Sequence, residues 1–217
     1  MNWHRRYRYT CIGLFWTFAL SAQPSQTLSG RVQGYMANRI GDYDGLQLRT
    51  TAGVLWIRFP PHAAAQVLKL APVGQAVSAT VVRAPHPPEP PAPPGGAQAP
   101  AGPGYQLVRL QQQARKTSVQ IADVPPPLPT RGRLTQAEEP LTGQLRDEAG
   151  RLVALLTSRF VIELKPHQGE SIQALLVGVS RLELTGYERT EPGFVNKTGR
   201  TLLHPTTLTI NGQTFAL

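Results

Sequence analysis

The sequence predicts a mostly β protein built from two small five-stranded barrels, each with a short helix between strands 3 and 4, joined by Pro-rich linkers. Three observations support this fold class. Short segments alternate apolar and polar residues between turn-forming residues. The order of these segments occurs twice, and Pro-rich stretches interrupt and separate the two copies. Repetition of this kind indicates two related units rather than one large domain.

The first copy contains three strands, a short helix and two more strands. Pro60 and Pro61 end the third strand, and proline is well tolerated in the first turn of the helix that follows. Ala63, Val67 and Leu70 then recur at helical spacing. This is the order of the OB-fold, a five-stranded Greek-key barrel. The expected strands are 28–35, 46–50, 54–59, 77–81 and 105–110, with the helix at 62–70.

The second copy repeats this order. Gly143 stands where the first copy has Gly30, and Pro166-His167 stands where it has Pro61-His62. The polar loop at 38–45 is missing from the second copy. Asn211-Gly212 predicts a tight hairpin to a last strand at Phe215. The expected strands are 141–146, 152–156, 159–164, 181–189 and 207–210, with the helix at 167–175.

Pro-rich segments set the expected domain boundaries. Residues 84–104 contain nine of the 21 prolines and few side chains that could join a core, so they predict a disordered insertion. A second polar, Pro-rich stretch at 115–139 predicts a linker. The first OB-like domain is therefore expected at 27–114 and the second at 140–217.

The first 22 residues have the three parts of a secretory signal. Arg5, Arg6 and Arg8 supply positive charge. They precede an apolar run at 11–20, about half of the roughly 20 residues that a membrane-spanning helix needs, and small residues follow up to Ala22. A buried N-terminal helix is the alternative, which the polar segment that follows disfavours. We therefore expect Sec-type export, cleavage near Ala22 and a periplasmic or secreted protein.

Removal of the signal changes the chemistry of the chain. It takes away Cys11, the only cysteine, and lowers the formal net charge from +9 to +6, because the segment carries three arginines and no carboxylate. A cysteine-free mature chain has no disulfide, thiolate nucleophile or cysteine metal site. The remaining basic balance favours anionic partners, although the lysines and arginines are scattered along the chain.

Residues 28–82 resemble a group of exported bacterial OB-fold-like proteins of poorly defined function. The resemblance rests on four short stretches, at 30–32, 38, 41–46 and 59–62. It implies a fold and little about a ligand. An SH3-like barrel is the nearest rival, and the helix expected within each unit argues against it.

Ten residues are candidate ligand contacts. The connection between strands 1 and 2 helps to line the ligand face of OB-folds. Arginine side chains bind the backbone of single-stranded nucleic acids, and aromatic side chains stack on the bases. Trp56 and Arg49 would extend such a face, but Trp56, like Phe59, is equally well explained as barrel core. The candidates are Arg31, Tyr35, Asn38, Arg39, Asp42, Tyr43, Asp44, Arg58, His62 and His167.

Two groups of candidates have alternative interpretations. His62 and His167 each follow a proline at a helix start, where they would either contact a metal or ligand or pack the strand-to-helix turn. No further His, Cys or carboxylate lies near in sequence to complete a zinc site, which favours packing. Asn38, Asp42 and Asp44 would either hold Ca²⁺ or form a polar turn. The distant glutamate that completes an EF-hand loop is missing, which favours the turn.

The sequence contains no recognisable catalytic motif. It has no Gly-x-Ser-x-Gly elbow, His-Glu-x-x-His pair, Walker loop or dinucleotide fingerprint. We predict a protein that is not an enzyme: an exported, non-catalytic binding module of unknown ligand, with no cofactor and no metal. The alternative is a structural or adaptor protein of a bacterial envelope assembly. A third interpretation is single-stranded nucleic-acid or oligosaccharide binding through the first barrel, and export disfavours nucleic acid.

The expected partner is therefore an unknown ligand or an envelope protein. We expect no transmembrane anchor after cleavage, and the oligomeric state is left open. The interpretation of the chain as a hydrolase is supported only by its predicted export.

Overall fold

The computed structural model describes residues 24–83, 104–128 and 132–217. The signal predicted at 1–22, and all but the last residue of the insertion predicted at 84–104, lie outside the described residues. Within those ranges the chain is mostly β and forms two closed five-stranded barrels, each with one additional strand, and two short helices. The predicted fold class is confirmed.

The first barrel contains five strands and one short helix. They are β1 (Gln26–Ala37), β2 (Tyr43–Thr50), β3 (Gly53–Arg58), α1 (Ala64–Leu70), β4 (Ala76–Arg83) and β5 (Tyr105–Gln112). β1 pairs antiparallel with β2 and β4. β5 pairs antiparallel with β4 and parallel with β3, which closes the barrel in the order 1-2-3-5-4. A 3₁₀ turn at Pro61–Ala63 leads into the helix.

Alternation along the strands decides which side chains fill this barrel. Val77, Ala79 and Val81 of β4 are fully buried, and the residues between them are partly exposed. Phe59, directly after β3, and Val67 of α1 join the same apolar cluster. Removal of these side chains from water is the main force that holds such a barrel together.

The second barrel closes in the same way. Its elements are β7 (Arg133–Arg146), β8 (Leu152–Thr157), β9 (Phe160–Glu163), α2 (Pro166–Ile172), β10 (Arg181–Glu188), β11 (Thr201–Ile210) and β12 (Gln213–Ala216). β7 pairs with β8 and β10, and β11 pairs antiparallel with β10 and parallel with β9. Asn211 and Gly212 both have positive φ, as a two-residue hairpin requires, and they join β11 to β12 as predicted.

The structure adds strand residues in the segment expected as a linker at 115–139, and β11 begins at Thr201 rather than at 207. A short strand, β6 (Ser118–Gln120), pairs with β5, and Val124 packs into the core of the first barrel. β7 begins at Arg133 rather than at 141. Its first half pairs with β10 and its second half with β8, and Pro140 lies at the change of partner.

Among the residues that the structure describes, no helix has both the length and the hydropathy needed to span a bilayer.

Candidate functional site

The loop between β1 and β2, residues 38–42, is a tight polar turn. Asn38 Oδ1 accepts hydrogen bonds from the backbone N–H groups of Ile40 and Asp42, at 3.1 and 3.0 Å. The N–H of Asn38 donates to the carbonyl of Asp42 at 2.8 Å. Gly41 has a φ of +91°, a conformation that favours glycine. Backbone donors therefore occupy the side-chain oxygen of Asn38.

Asp42 lies buried against the second barrel. Its two carboxylate oxygens accept from the Arg189 guanidinium at 2.6 and 2.8 Å, and Oδ1 also accepts from Asn196 Nδ2 at 3.1 Å. The side chains of Asp42 and Arg189 are only 2% and 12% exposed. The centroid of the Phe194 ring lies 4.1 Å from the guanidinium carbon. Both oxygens of this predicted ligand residue are thus occupied in a contact between the barrels.

Ile40 and Arg39, at the tip of the same loop, lie on the outer surface of the second barrel. Ile40 is 9% exposed and packs with Ala154, Val161 and Leu202. A guanidinium nitrogen of Arg39 lies 4.0 Å from Glu163 Oε1. The loop that the second copy lacks is therefore one of the parts of the first copy that dock onto the second.

Glu163 has a lowered pKa in this contact. The hydrogen bond with His204, whose Nδ1 lies 3.2 Å from Glu163 Oε2, is the main cause, and burial opposes it. The positive charges of His204 and Arg39 lower the pKa further, and the negative charge of Asp42 raises it. The net lowering shows that the surroundings of Glu163 favour its charged form.

Glu163→Gln is expected to make the free energy of unfolding fall less steeply as the pH is lowered. Because folding lowers the pKa of Glu163, its charge stabilises the fold above the ordinary value of 4.5. This contribution is lost as the pH falls through the lower, folded pKa. Urea unfolding between about pH 3 and pH 6 should therefore show a steeper acid loss of stability in the native chain than in the variant. Equal pH dependence of the two proteins would contradict this expectation.

His62 also lies where the barrels meet. Its Nε2 is 3.1 Å from the carbonyl oxygen of Val124, and its ring packs edge-on against Phe194, with centroids 6.4 Å apart. His167 is exposed in α2, so the two histidines have different surroundings. Among the described residues, no three His, Cys, Asp or Glu side chains are grouped closely enough to hold a metal ion.

The two tyrosines of the candidate set line the first barrel's core rather than a groove. Tyr35 and Tyr43 pack together, with ring centroids 5.7 Å apart, and both contact the apolar cluster. The hydroxyl of Tyr35 donates to the carbonyl of Ala71, and burial raises the pKa of Tyr35. The N–H of Tyr43 donates to the carbonyl of Val195 at 3.0 Å, which ties β2 to the second barrel.

The outer surface of β2 and β3 carries a different group of side chains, which we call the Trp56 face. It consists of Val54, Trp56 and Arg58 on β3, with Gln47 and Arg49 beside them on β2. Val54 and Trp56 are 41% and 38% exposed, although both are large and apolar. Trp56 thus lies on the surface, whereas Phe59 is core.

Three arginines lie on β1 to β3 on the same side of the sheet as Trp56. Arg58 forms an ion pair with Asp44 at 2.5 Å. Burial raises the pKa of Asp44, and Arg58 partly offsets that rise. Arg31 lies opposite Arg49 on β1 and donates to the carbonyl of Gly74. No carboxylate among the described residues pairs with Arg49, so the face has a net positive charge.

The second barrel has an equivalent surface with opposite properties. Its face is apolar and acidic, whereas that of the first barrel is aromatic and basic. The repeat aligns Ile57 with Ile162, so Trp56 corresponds to Val161 and Arg58 to Glu163. Loop 38–42 covers the Val161 surface, while Trp56 is exposed.

Several residues of the contact between the barrels were missed by the sequence analysis. They lie in the connection between β10 and β11, at 189–200, which sequence patterns mark only as a polar, Gly-containing loop. Arg189 and Asn196 supply the contacts to loop 38–42, and their partners are about 150 residues away in the chain. Phe194 packs against Arg189 and His62. No local pattern identifies such a pair.

No family model, curated protein or solved structure matches this chain.

Proposed function

We propose that this chain is an exported, non-catalytic binding module, and that the Trp56 face takes its ligand. The observation that carries the proposal is the exposure of Trp56 and Val54, side by side on β3, with Arg49 and Arg58 around them. Large apolar side chains exposed together and rimmed by polar groups mark binding surfaces. Tryptophan and arginine are also the residues that dominate binding energy at interfaces.

The charge of this face favours an acidic ligand. Arg49 has no carboxylate partner among the described residues, whereas the charges of Arg58 and Asp44 offset each other. A ligand that places a flat or apolar group on Trp56 and a negative group beside it would satisfy both features.

The side chains of the face support binding rather than catalysis. Arginine, glutamine, tryptophan and valine supply neither a nucleophile nor a general base near neutral pH. Export is supported by the signal-like pattern at 1–22 and by the cysteine-free remainder. The likeness of 28–82 to exported OB-fold-like proteins remains a prediction that agrees with this proposal.

Trp56 itself provides the test. The chain has three tryptophans, and two of them, Trp3 and Trp16, belong to the predicted signal. Trp56 is therefore the sole tryptophan of the chain from 23 to 217, and its fluorescence reports directly on the face. We expect heparin, a 20-nucleotide single-stranded DNA or poly-glutamate to change this fluorescence at low salt, because screening weakens charge contacts.

Trp56→Ala is expected to weaken the binding of whichever polyanion responds by about tenfold or more, measured by calorimetry, because it removes the large apolar contact. Arg49→Ala should weaken it less and reduce its salt dependence. Arg83→Ala, an exposed arginine at the end of β4, is the matched control and should bind normally. Equal loss in Arg49→Ala and Arg83→Ala, or no loss in Trp56→Ala, would remove the face from the function.

An envelope adaptor is a second candidate function. The same exposed apolar pair on β3 favours it, because contacts between proteins bury such side chains.

A further inference from the structure

The second barrel shows how a surface of this kind is filled. Loop 38–42 places Ile40 against Ala154 and Val161, on the outer surface of β8 and β9. Arg39, the preceding residue, lies beside Glu163. An apolar tip and one flanking charge thus lie on the outer strands of the barrel, and the Asp42–Arg189 pair holds the base of the loop.

The equivalent surface of the first barrel has an apolar side chain and a flanking charged side chain at the same positions, but the charge has the opposite sign. Trp56 stands where Val161 stands, and Arg58 stands where Glu163 stands. A loop complementary to it needs an apolar tip on Trp56 and an acidic residue, instead of Arg39, beside Arg58 or Arg49, which lie on either side of Trp56 along the strands. Charge complementarity at such positions selects partners.

We propose that the Trp56 face binds a loop of a partner protein, with an apolar residue at its tip and an Asp or Glu beside it. This inference rests on the proposed function and names the ligand class for that same face. The internal contact made by loop 38–42 is the precedent, and the exposed Trp56 and Val54 supply the apolar seat.

A second copy of this chain is a poor occupant. Its own loop 38–42 carries Arg39, which would meet Arg58 and Arg49 with like charge. Asp42 of that loop is already held by Arg189. Like charges across an interface exclude a wrong partner. Arg58, which stands where the second barrel has Glu163, therefore favours acidic loops and also disfavours the binding of a second copy of this chain.

The test uses displayed loops on the chain from 23 to 217. A library of random nine-residue loops, each closed by a disulfide, is selected against the native protein, and binding is followed by Trp56 fluorescence and calorimetry. We expect the selected loops to carry Asp or Glu next to an apolar residue. We also expect them to bind Trp56→Ala about tenfold or more weakly.

A charge reversal makes the test specific. Arg49→Glu should weaken the binding of the acidic loops and favour loops with Arg or Lys beside the apolar tip. A purely structural role of Arg49 would not produce this change of preference. Arg49 is suited to this change because no ion pair of the described residues depends on it. Arg83→Glu is the matched control and should leave the preference unchanged.

The outcomes separate this inference from the proposed function. Selected loops without acidic enrichment, or loops indifferent to Trp56→Ala, would overturn the loop inference. The binding face itself would stand if heparin, single-stranded DNA or poly-glutamate still required Trp56. If no probe of either kind depended on Trp56, both proposals would fall.

Discussion

Asp42→Ala is expected to lower the free energy of unfolding by about 3–5 kcal/mol, because it leaves a buried charge without its partner. Arg189 is 12% exposed and donates twice to the Asp42 carboxylate, with Phe194 stacked on its guanidinium. In the variant this guanidinium must either stay buried without an ion-pair partner or reach solvent, which moves the 189–200 connection away from the first barrel. Urea unfolding of the chain from 23 to 217 measures the loss.

Two probes distinguish loss of docking from general destabilisation. Trp56 fluorescence reports on the first barrel, and far-ultraviolet circular dichroism reports on both. In the native chain we expect the two transitions to coincide, and in Asp42→Ala we expect them to separate as the barrels unfold independently.

Glu138→Gln is the control for Asp42→Ala. Glu138 pairs with Arg181 at 2.6 Å, but both side chains are more than half exposed. An exposed pair contributes about 0–1 kcal/mol. Equal losses of stability in Asp42→Ala and Glu138→Gln would show that the Asp42–Arg189 pair does not hold the barrels together.

The order of strands and helices could be predicted because it depends on local patterns. Val77, Ala79 and Val81 alternate with polar residues whether or not the rest of the barrel is known, and Asn211-Gly212 specifies its own turn. The first half of β7 could not be predicted in this way. Pro140 cannot donate to a strand partner, so it resembles a strand boundary, although the strand only changes partner there.

The role of loop 38–42 could not be predicted for a different reason. A polar loop rich in Gly, Asn and Asp has the same local sequence whether its partner is a ligand or another barrel. Asn38 and Asp42 were therefore both predicted as ligand contacts. In the structure Asn38 holds the backbone of its own loop, and Asp42 lies in the contact with the second barrel. Trp56 was ambiguous because an aromatic residue in a strand suits either face, and burial of Ile57 and exposure of Trp56 settle its direction.

The two copies differ at complementary places. The first has the additional loop at 38–42, and the second receives that loop with its connection at 189–200. The outer surface of β8 and β9 is thereby filled from within the chain, and the corresponding surface of β2 and β3 is left exposed. Among the described residues, one barrel thus docks on the other, and the Trp56 face is left exposed.

Gly193→Ala is expected to disrupt this docking without removing any charge. Gly193 has a φ of +95°, and a Cβ at this position would lie 2.1 Å from the carbonyl oxygen of His62 in the first barrel. The backbone of 189–200 must therefore move away, which breaks the 2.9 Å hydrogen bond from Ala65 N–H to the Gly193 carbonyl. Backbone strain and a lost buried hydrogen bond together predict a loss of about 3 kcal/mol.

Gly199→Ala is the control that distinguishes the loss of docking between the barrels from the cost of a side chain at a position with positive φ. Gly199 lies in the same connection and has a φ of +71°, but a Cβ there would meet no atom within 4 Å. Its substitution should lower the free energy of unfolding by about 1 kcal/mol through backbone conformation alone. The fluorescence and circular dichroism transitions should stay together in Gly199→Ala and separate in Gly193→Ala. Coincident transitions in both variants would mean that the barrels are held by contacts other than those around Gly193, since the clash with His62 is what distinguishes the two glycines.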